Sequence, residues 1–209
     1  MALVLLVLFQ PELRKVLEQV GRTSISNLSV FGTNMSTSEY ERKQMIKTIN
    51  AICDSCAILS KERIGALIVM ERETKIGDII STGTVIDSQP SADLIKNVFF
   101  PNSPLNDGAL VIRNSRLYAA GCFLPLSDNY EISRALGTRH RAALGISEVS
   151  DAIVVVVSEE TGAVTMAKNG KLEIDIGVNG LSAALFREFV AEDKENATEK
   201  KKLFRRSRR

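Results

Sequence analysis

Three short clusters in this sequence combine residue types that can do chemistry. Asp107-Gly108-Ala109 ends the loop from Pro101 to Asn106 and opens an apolar run. A carboxylate there stands at a sheet edge, and the glycine lets a ligand approach the backbone. The plain alternative is a turn, since Asn-Asp-Gly is ordinary turn chemistry. Thr138-Arg139-His140-Arg141 reads as the first turn of a helix capped by Thr138. Free N–H groups and the positive end of the helix dipole favour phosphate at such a place. Two guanidinium groups add forked donors. Residues two apart on a helix lie on nearly opposite sides, so Arg139 and Arg141 cannot both face one phosphate. One of them would reach a different group or a partner subunit. The plain alternative is a solvated basic turn. His140 is the only histidine, so any imidazole–metal bond must use it. Ser158-Glu159-Glu160-Thr161-Gly162 follows a buried strand. Its hydroxyls and carboxylates can bind phosphate and a divalent metal, or simply form a polar hairpin turn.

Other residues carry less. Cys53-Asp54-Ser55-Cys56 lies late in a long helix with both sulfurs on its apolar stripe, which reads as buried core. Three cysteines, an odd number, argue against a disulfide framework and for a reducing setting. A formal net charge of +2 gives the whole chain no strong call on nucleic acid. The charge is uneven, since the tail after Glu192 is almost all polar and ends in Arg205-Arg206-Ser207-Arg208-Arg209. That tail reads as a solvated end rather than a contact for lipid or nucleic acid.

The elements that must position these clusters follow from pattern. The apolar run Ala2 to Phe9 is shorter than the ~20 residues a membrane span needs. It reads as a core strand, a buried helix end or the stump of a transmembrane helix. Leu13, Val16, Leu17 and Val20 continue at helical spacing, and Arg22 to Thr37 reads as a connector. Ser38 and Glu41 fit a capping box for a helix that carries Met45, Ile49, Ile52, Cys53, Cys56 and Leu59 on one face. Gly65 to Met70 reads as a buried strand, and Ser91 to Phe99 as a short helix capped by Ser91. Ala109–Ile112 and Leu117–Ala120 form a hairpin. Asp128 to Leu136 is a predicted short helix, and Thr138 to Leu144 another, closed by Gly145. Ala152 to Val157 is a uniformly apolar strand, so both its faces should be covered. A returning strand over Ala163 to Lys168, an Asn169-Gly170 turn of type I′, a strand to Ile174 and a helix from Leu181 to Ala191 complete the chain. The order gives one mixed α/β domain, with helices covering a largely antiparallel sheet. The expected divisions are a membrane-proximal helix over 1–21, a catalytic domain over 22–191 and a basic tail over 192–209.

Taken together, the three clusters in this order resemble the bacterial diadenylate cyclase domain, over about Ile25 to Leu172. Phe9-Gln10-Pro11-Glu12-Leu13-Arg14 is similar to the segment that follows the last transmembrane helix of the membrane-anchored type. The DNA-integrity scanning type carries a helix-hairpin-helix module, for which this sequence has no room. The resemblance implies that two ATP molecules are joined into cyclic di-AMP with a divalent ion, Mn²⁺ or Mg²⁺. Asp107 would bind the metal and help deprotonate a ribose 3′-hydroxyl, and Gly108 and Ala109 would lie close to the nucleotide. Thr138, Arg139 and Arg141 would hold phosphates, with Ser158 a further phosphate contact. His140 and Glu160 are candidate metal contacts. Leu124 would meet adenine through its backbone. Phe123, where relatives often have tyrosine, would stack on the base without a hydroxyl.

The product is two-fold symmetric, so the simplest enzyme is a homodimer with two facing half-sites. The full-length protein is expected at the cell membrane with its catalytic domain in the cytoplasm, and this chain alone is expected to be soluble, with no nucleic-acid partner. The alternative reading is a nucleotide-binding regulatory module without catalysis.

Overall fold

The computed structural model describes residues 34–129 and 136–191. The expected N-terminal helix, the basic tail and most of the helix expected over Asp128 to Leu136 lie outside the described residues. So does the boundary expected at residue 21. The chain divides into two compact units, Met1–Tyr40 and Glu41–Arg209, and the second carries the sheet.

Seven strands form one sheet: β1 (Ala66–Met70), β2 (Thr84–Ser88), β3 (Ala109–Arg113), β4 (Arg116–Cys122), β5 (Ile153–Val157), β6 (Val164–Lys168) and β7 (Lys171–Glu173). Their order across the sheet is β2-β4-β3-β1-β5-β6-β7. Every neighbouring pair is antiparallel except β1 and β3. The class is mixed α/β with a largely antiparallel sheet, as the element order requires.

β1 and β5 are buried along their whole length. Successive side chains of a strand point to opposite faces, so each strand feeds two cores. Ile68, Met70, Leu110, Ile112, Val155 and Met166 enter one core. It is covered by α1 (Asn34–Glu62), α3 (Ala92–Val98) and α5 (Gly177–Phe186), through Ile49, Ile52 and Leu59, Ile95 and Val98, and Leu181 and Leu185. Leu67, Val69, Val111, Val154 and Val156 enter the other core. There α2 (Gly77–Ile80) and α4 (Thr138–Val149) close the face with Ile76, Ile80, Ala142, Ala143 and Ile146. Buried strands with uniform apolar sequence are what two covered faces demand.

Several elements differ from expectation. α1 begins at Asn34, one turn before Ser38, so Ser38 lies inside the helix and the last residues of the expected connector are helical. α2 and β2 had no clear pattern. β2 is an edge strand whose side chains are mostly exposed, so it lacks an apolar alternation to read. The final helix starts at Gly177 and ends in a π-helical turn over Arg187–Ala191. Two turns behave as their residues demand: Asn169 and Gly170 both adopt positive φ, as do Asn114 and Ser115 between β3 and β4.

Gly145 does not close a helix at Leu144 as its residue type suggests, because α4 runs on to Val149. A β-carbon at Gly145 would collide with the Pro125 carbonyl oxygen and come within 2.8 Å of the Ser127 nitrogen. This glycine permits a close approach inside the helix and does not stop it.

Candidate active site

Strand register brings two of the three clusters to one end of the sheet, and the Arg139–Glu159 ion pair ties the start of α4 to it. β1 and β3 are parallel, so their starts lie together. Ala66 pairs with Val157, which puts the end of β5 there. Ala109 pairs with Cys122, which adds the end of β4. Asp107-Gly108, Phe123-Leu124 and Ser158 therefore extend from neighbouring strand ends.

Asp107 is exposed just before β3. Its carboxylate makes no hydrogen bond or ion pair to any described residue, so it is available to a ligand. Gly108 has φ of 115°, and a β-carbon there would lie 2.8 Å from both the Cys122 oxygen and the Gly121 carbonyl carbon. The backbone of β4 thus fills the space beside it, and only glycine fits. Ala109 is fully buried at the start of β3.

Gly137, rather than Thr138, is the N-cap of α4, and no side chain caps the helix. Thr138 is the first helical residue and is exposed. The uncapped end leaves N–H groups directed outward, a ready anion site. The two arginines diverge, as positions two apart must. Arg139 Nη1 donates to Glu159 Oε2 at 2.5 Å and lies over Gly65. Arg141 turns toward the loop after β4, its Nη2 3.4 Å from the Ser127 carbonyl oxygen. Arg141 Nε is buried without a partner among the described residues.

His140 faces inward. It is 5% exposed, and its Nε2 lies 3.3 Å from the Thr165 hydroxyl. Burial holds its pKa below the usual 6.5, so the ring is neutral at pH 7. Among the described residues no three of His, Cys, Asp and Glu gather as a metal cluster, so Asp107, His140 and Glu160 do not form one. The hard-oxygen donors at this end include the exposed carboxylates of Asp107 and Glu160, with that of Glu159 paired to Arg139, and carboxylate is the donor class that suits Mg²⁺ or Mn²⁺. A cation held there must complete its shell with other oxygens, such as phosphate and water.

Ser158 is half-buried, and its turn is clasped from α1. The Ser60 hydroxyl donates to the Gly162 carbonyl at 2.6 Å. Gly162 has φ of 78°, and a β-carbon there would meet the Ser60 carbonyl oxygen at 2.5 Å. Phe123 is 63% exposed, and its N–H donates to the Thr82 hydroxyl at 2.9 Å. Leu124 packs partly buried against the α2–α4 core. Thr82, Ser60 and Gly65 carry no site signal in the sequence, whereas Glu159 is marked by its place in the Ser158 turn. Cys53 and Cys56 are buried and free, and burial pushes Cys56 up to about 12, so neither is a thiolate at neutral pH.

An open polar cleft of about 600 Å³ lies beyond the C-terminal end of α4, lined by Glu148, Ser150, Asp151 and Asn169 among others. At about 1.5 Å per residue, the helix separates it by roughly 15 Å from the Arg139 end. It shares no residue with the site.

The sequence that carries this site matches a known family. Residues 53–172 match DAC, described as DisA bacterial checkpoint controller nucleotide-binding. The chain belongs to this family. The DAC match ends where the resemblance was expected to end and begins inside α1 rather than near Ile25. A relative from Bacillus subtilis (strain 168), cyclic di-AMP synthase CdaA, is 46% identical over 90% of this chain and 66% of its own length. The chain thus spans just under two thirds of that relative. The crystal structure of DacA from Staphylococcus aureus, a double mutant, has a TM-score of 0.67 at 48% identity, covering 69% of this chain and 96% of that one. The structure of a hypothetical membrane spanning protein from Bacillus cereus has a TM-score of 0.58 at 43% identity, covering 60% of this chain and 62% of that one.

Proposed function

We propose that this chain is the catalytic part of a diadenylate cyclase, which converts two ATP into cyclic di-AMP and two pyrophosphates. The observation that carries the proposal is the gathering of Asp107, the uncapped start of α4 and the Ser158 turn at one end of the sheet. The name of the Bacillus subtilis relative supports it.

Each transfer forms a bond from a ribose 3′-oxygen to the α-phosphorus of the other ATP. The bond from that phosphorus to the β-phosphate bridging oxygen breaks, pyrophosphate leaves, and the 3′-hydroxyl loses its proton. Little covalent work falls to the protein, which must position the reactants and balance charge. Thr138 and Arg139 at the start of α4 would hold phosphate, with Ser158 beside them. Phe123 offers an exposed ring for stacking on adenine, and the Leu124 backbone a contact at the base edge. Arg141, turned toward the Ser127 carbonyl, would be a further phosphate contact. Asp107 would accept or direct the hydroxyl proton. Asp107 and Glu160 would hold a divalent ion, which when bound polarises the phosphate and lowers the hydroxyl pKa. His140, buried against Thr165, is better suited to supporting α4 than to holding that ion.

Both transfers are equivalent in the product, so two copies of the half-site would face each other in a homodimer. The full-length protein would be membrane-anchored, which the name of the Bacillus cereus structure supports. Among the described residues no helix is long and apolar enough to cross a membrane, so such an anchor would lie elsewhere.

The test is incubation with ATP and Mn²⁺ over a range of protein concentrations, with products separated by chromatography. Cyclic di-AMP should form, at a rate per protomer that rises with concentration. Asp107→Asn should abolish product without lowering the melting temperature. ATP binding with no product at any concentration would instead indicate a nucleotide-binding module without catalysis.

A further inference from the structure

Arg139 carries a constraint that its placement at a helix start does not explain. Its Nη1 is bound by Glu159 Oε2 at 2.5 Å, and both groups lie against the bare backbone of Gly65. A β-carbon on Gly65 would sit 2.5 Å from Arg139 Nη1, 2.8 Å from Cζ and 2.8 Å from Glu159 Oε2. Gly65 does not adopt a left-handed conformation, so its backbone does not require glycine. What requires it is the ion pair laid across it. The Glu159 side chain is 59% exposed, and a pair so open to water adds little to stability. Its effect is geometric. With one nitrogen held, the guanidinium loses rotamer freedom, and its remaining N–H groups stay presented at the start of α4.

We infer that Glu159 and Gly65 are positioning residues for Arg139: Glu159 fixes one guanidinium nitrogen, and Gly65 supplies the space in which the pair lies. The inference rests on the proposed reading, in which Arg139 holds the ATP triphosphate. Glu159 acts through the arginine and touches neither nucleotide nor metal. This separates it from its neighbour Glu160, whose carboxylate is available to a cation. Gly65 offers an independent handle, because a methyl group there displaces the pair without changing any charge. The atoms it meets are side-chain ends, which can move while the fold is kept.

The experiment compares the full chain with Glu159→Gln, Gly65→Ala and the double variant, by initial rates of cyclic di-AMP formation against ATP and against Mn²⁺. Each single variant should lower kcat/KM about tenfold, mainly through KM, because a displaced binding group costs one to two orders of magnitude. The double variant should also lose about tenfold rather than a hundredfold, because both changes break one unit. Melting temperatures and the Mn²⁺ concentration at half-maximal rate should stay at wild-type values. Wild-type KM in either single variant, or a hundredfold loss in the double, would overturn the inference. A shifted Mn²⁺ requirement in Glu159→Gln would also overturn it, by putting Glu159 on the metal. If the wild type forms no product, the cyclase reading fails instead. ATP affinity measured by calorimetry on the same variants then tests the positioning of Arg139 by itself, and unchanged affinity in Glu159→Gln would overturn it.

Discussion

Replacing Gly145 with alanine sets two known effects against each other, and the structure decides between them. Alanine in a helix interior is favoured over glycine by about 1 kcal/mol. Propensity alone therefore predicts a more stable protein. Against this, the new methyl carbon would collide with the Pro125 carbonyl oxygen and lie 2.9 Å from the Leu126 carbonyl carbon and 2.8 Å from the Ser127 nitrogen. All three are backbone atoms, so no side-chain rotation relieves the contact. Forcing a methyl group into such a place costs about 1–3 kcal/mol. Moving the loop also strains the Ser127 N–H bond to the Arg141 carbonyl at 3.0 Å and the Ser127 hydroxyl bond to Glu148 at 2.7 Å. Each of those is worth about 1 kcal/mol. With both bonds lost, the net effect is a loss of about 2–4 kcal/mol, or a fall in melting temperature of roughly 4–16 °C for a domain of this size. The same loop follows Phe123 and Leu124, so the KM for ATP should rise as well. Thermal denaturation followed by circular dichroism reads the first effect, and initial rates read the second. A melting temperature equal to or above wild type would refute the reasoning, since the loop would then yield without cost.

Phe123→Ala should raise the KM for ATP about tenfold, the order expected for one lost base–aromatic stack. It should leave the melting temperature unchanged, because the ring is largely exposed. Glu71 is buried at the end of β1 and takes a forked pair from Arg113 at 2.9 and 2.6 Å, with Lys75 and the Ile76 N–H adding further bonds. Glu71→Ala strands that arginine and should cost about 3–5 kcal/mol in chemical denaturation. Burial alone would raise the Glu71 pKa, but the bonds from Arg113, Ile76 and Lys75 outweigh it and hold the carboxyl below its usual 4.5. Its contribution is thus complete above pH 4.5 and fades as pH falls through the lower folded value. The stability gap between wild type and Glu71→Gln should accordingly be widest at neutral pH and close in acid. His140 should titrate below 6.5 by NMR because it is buried, and the stability that depends on its neutral ring should fade as pH drops from 6.5 toward that lower value.

Much of this fold was legible because its strongest signals are local. β5 is a run of branched apolar residues, and the Asn169-Gly170 turn permits only one tight geometry. Ser91 caps α3 as its residue type suggested, accepting the Leu94 N–H at 3.2 Å. What stayed hidden depends on distant neighbours. Gly145 looks like a helix stop until the Pro125 loop is laid against it. β2 has too few buried side chains to show a pattern, and Gly65 is silent without the ion pair above it. The site divides in the same way. Asp107, Arg139 and Ser158 could be picked out by type and by order in the chain, and the resemblance assigned them roles. Ser60, Thr82 and Gly65 act through contacts that no spacing in the sequence records. His140 was read from its chemistry, whereas its surroundings are set by the packing of α4 on β6.

The position of β1 has a consequence for how the domain folds. β2, β4 and β3 can pair through neighbouring stretches of chain, and so can β5, β6 and β7. β1 alone joins these two ribbons, bonding to β3 on one side and β5 on the other. Local pairing is fast and distant pairing slow, because loop closure costs entropy before contacts repay it. Each ribbon can therefore assemble early, while their union waits for one short strand. Asp107 and Phe123 belong to the first ribbon, Ser158 to the second, and Gly65 stands at the foot of the strand between them. Under the proposed function, a chain in which β1 has not yet joined the two ribbons would carry both sets of residues without the assembled site.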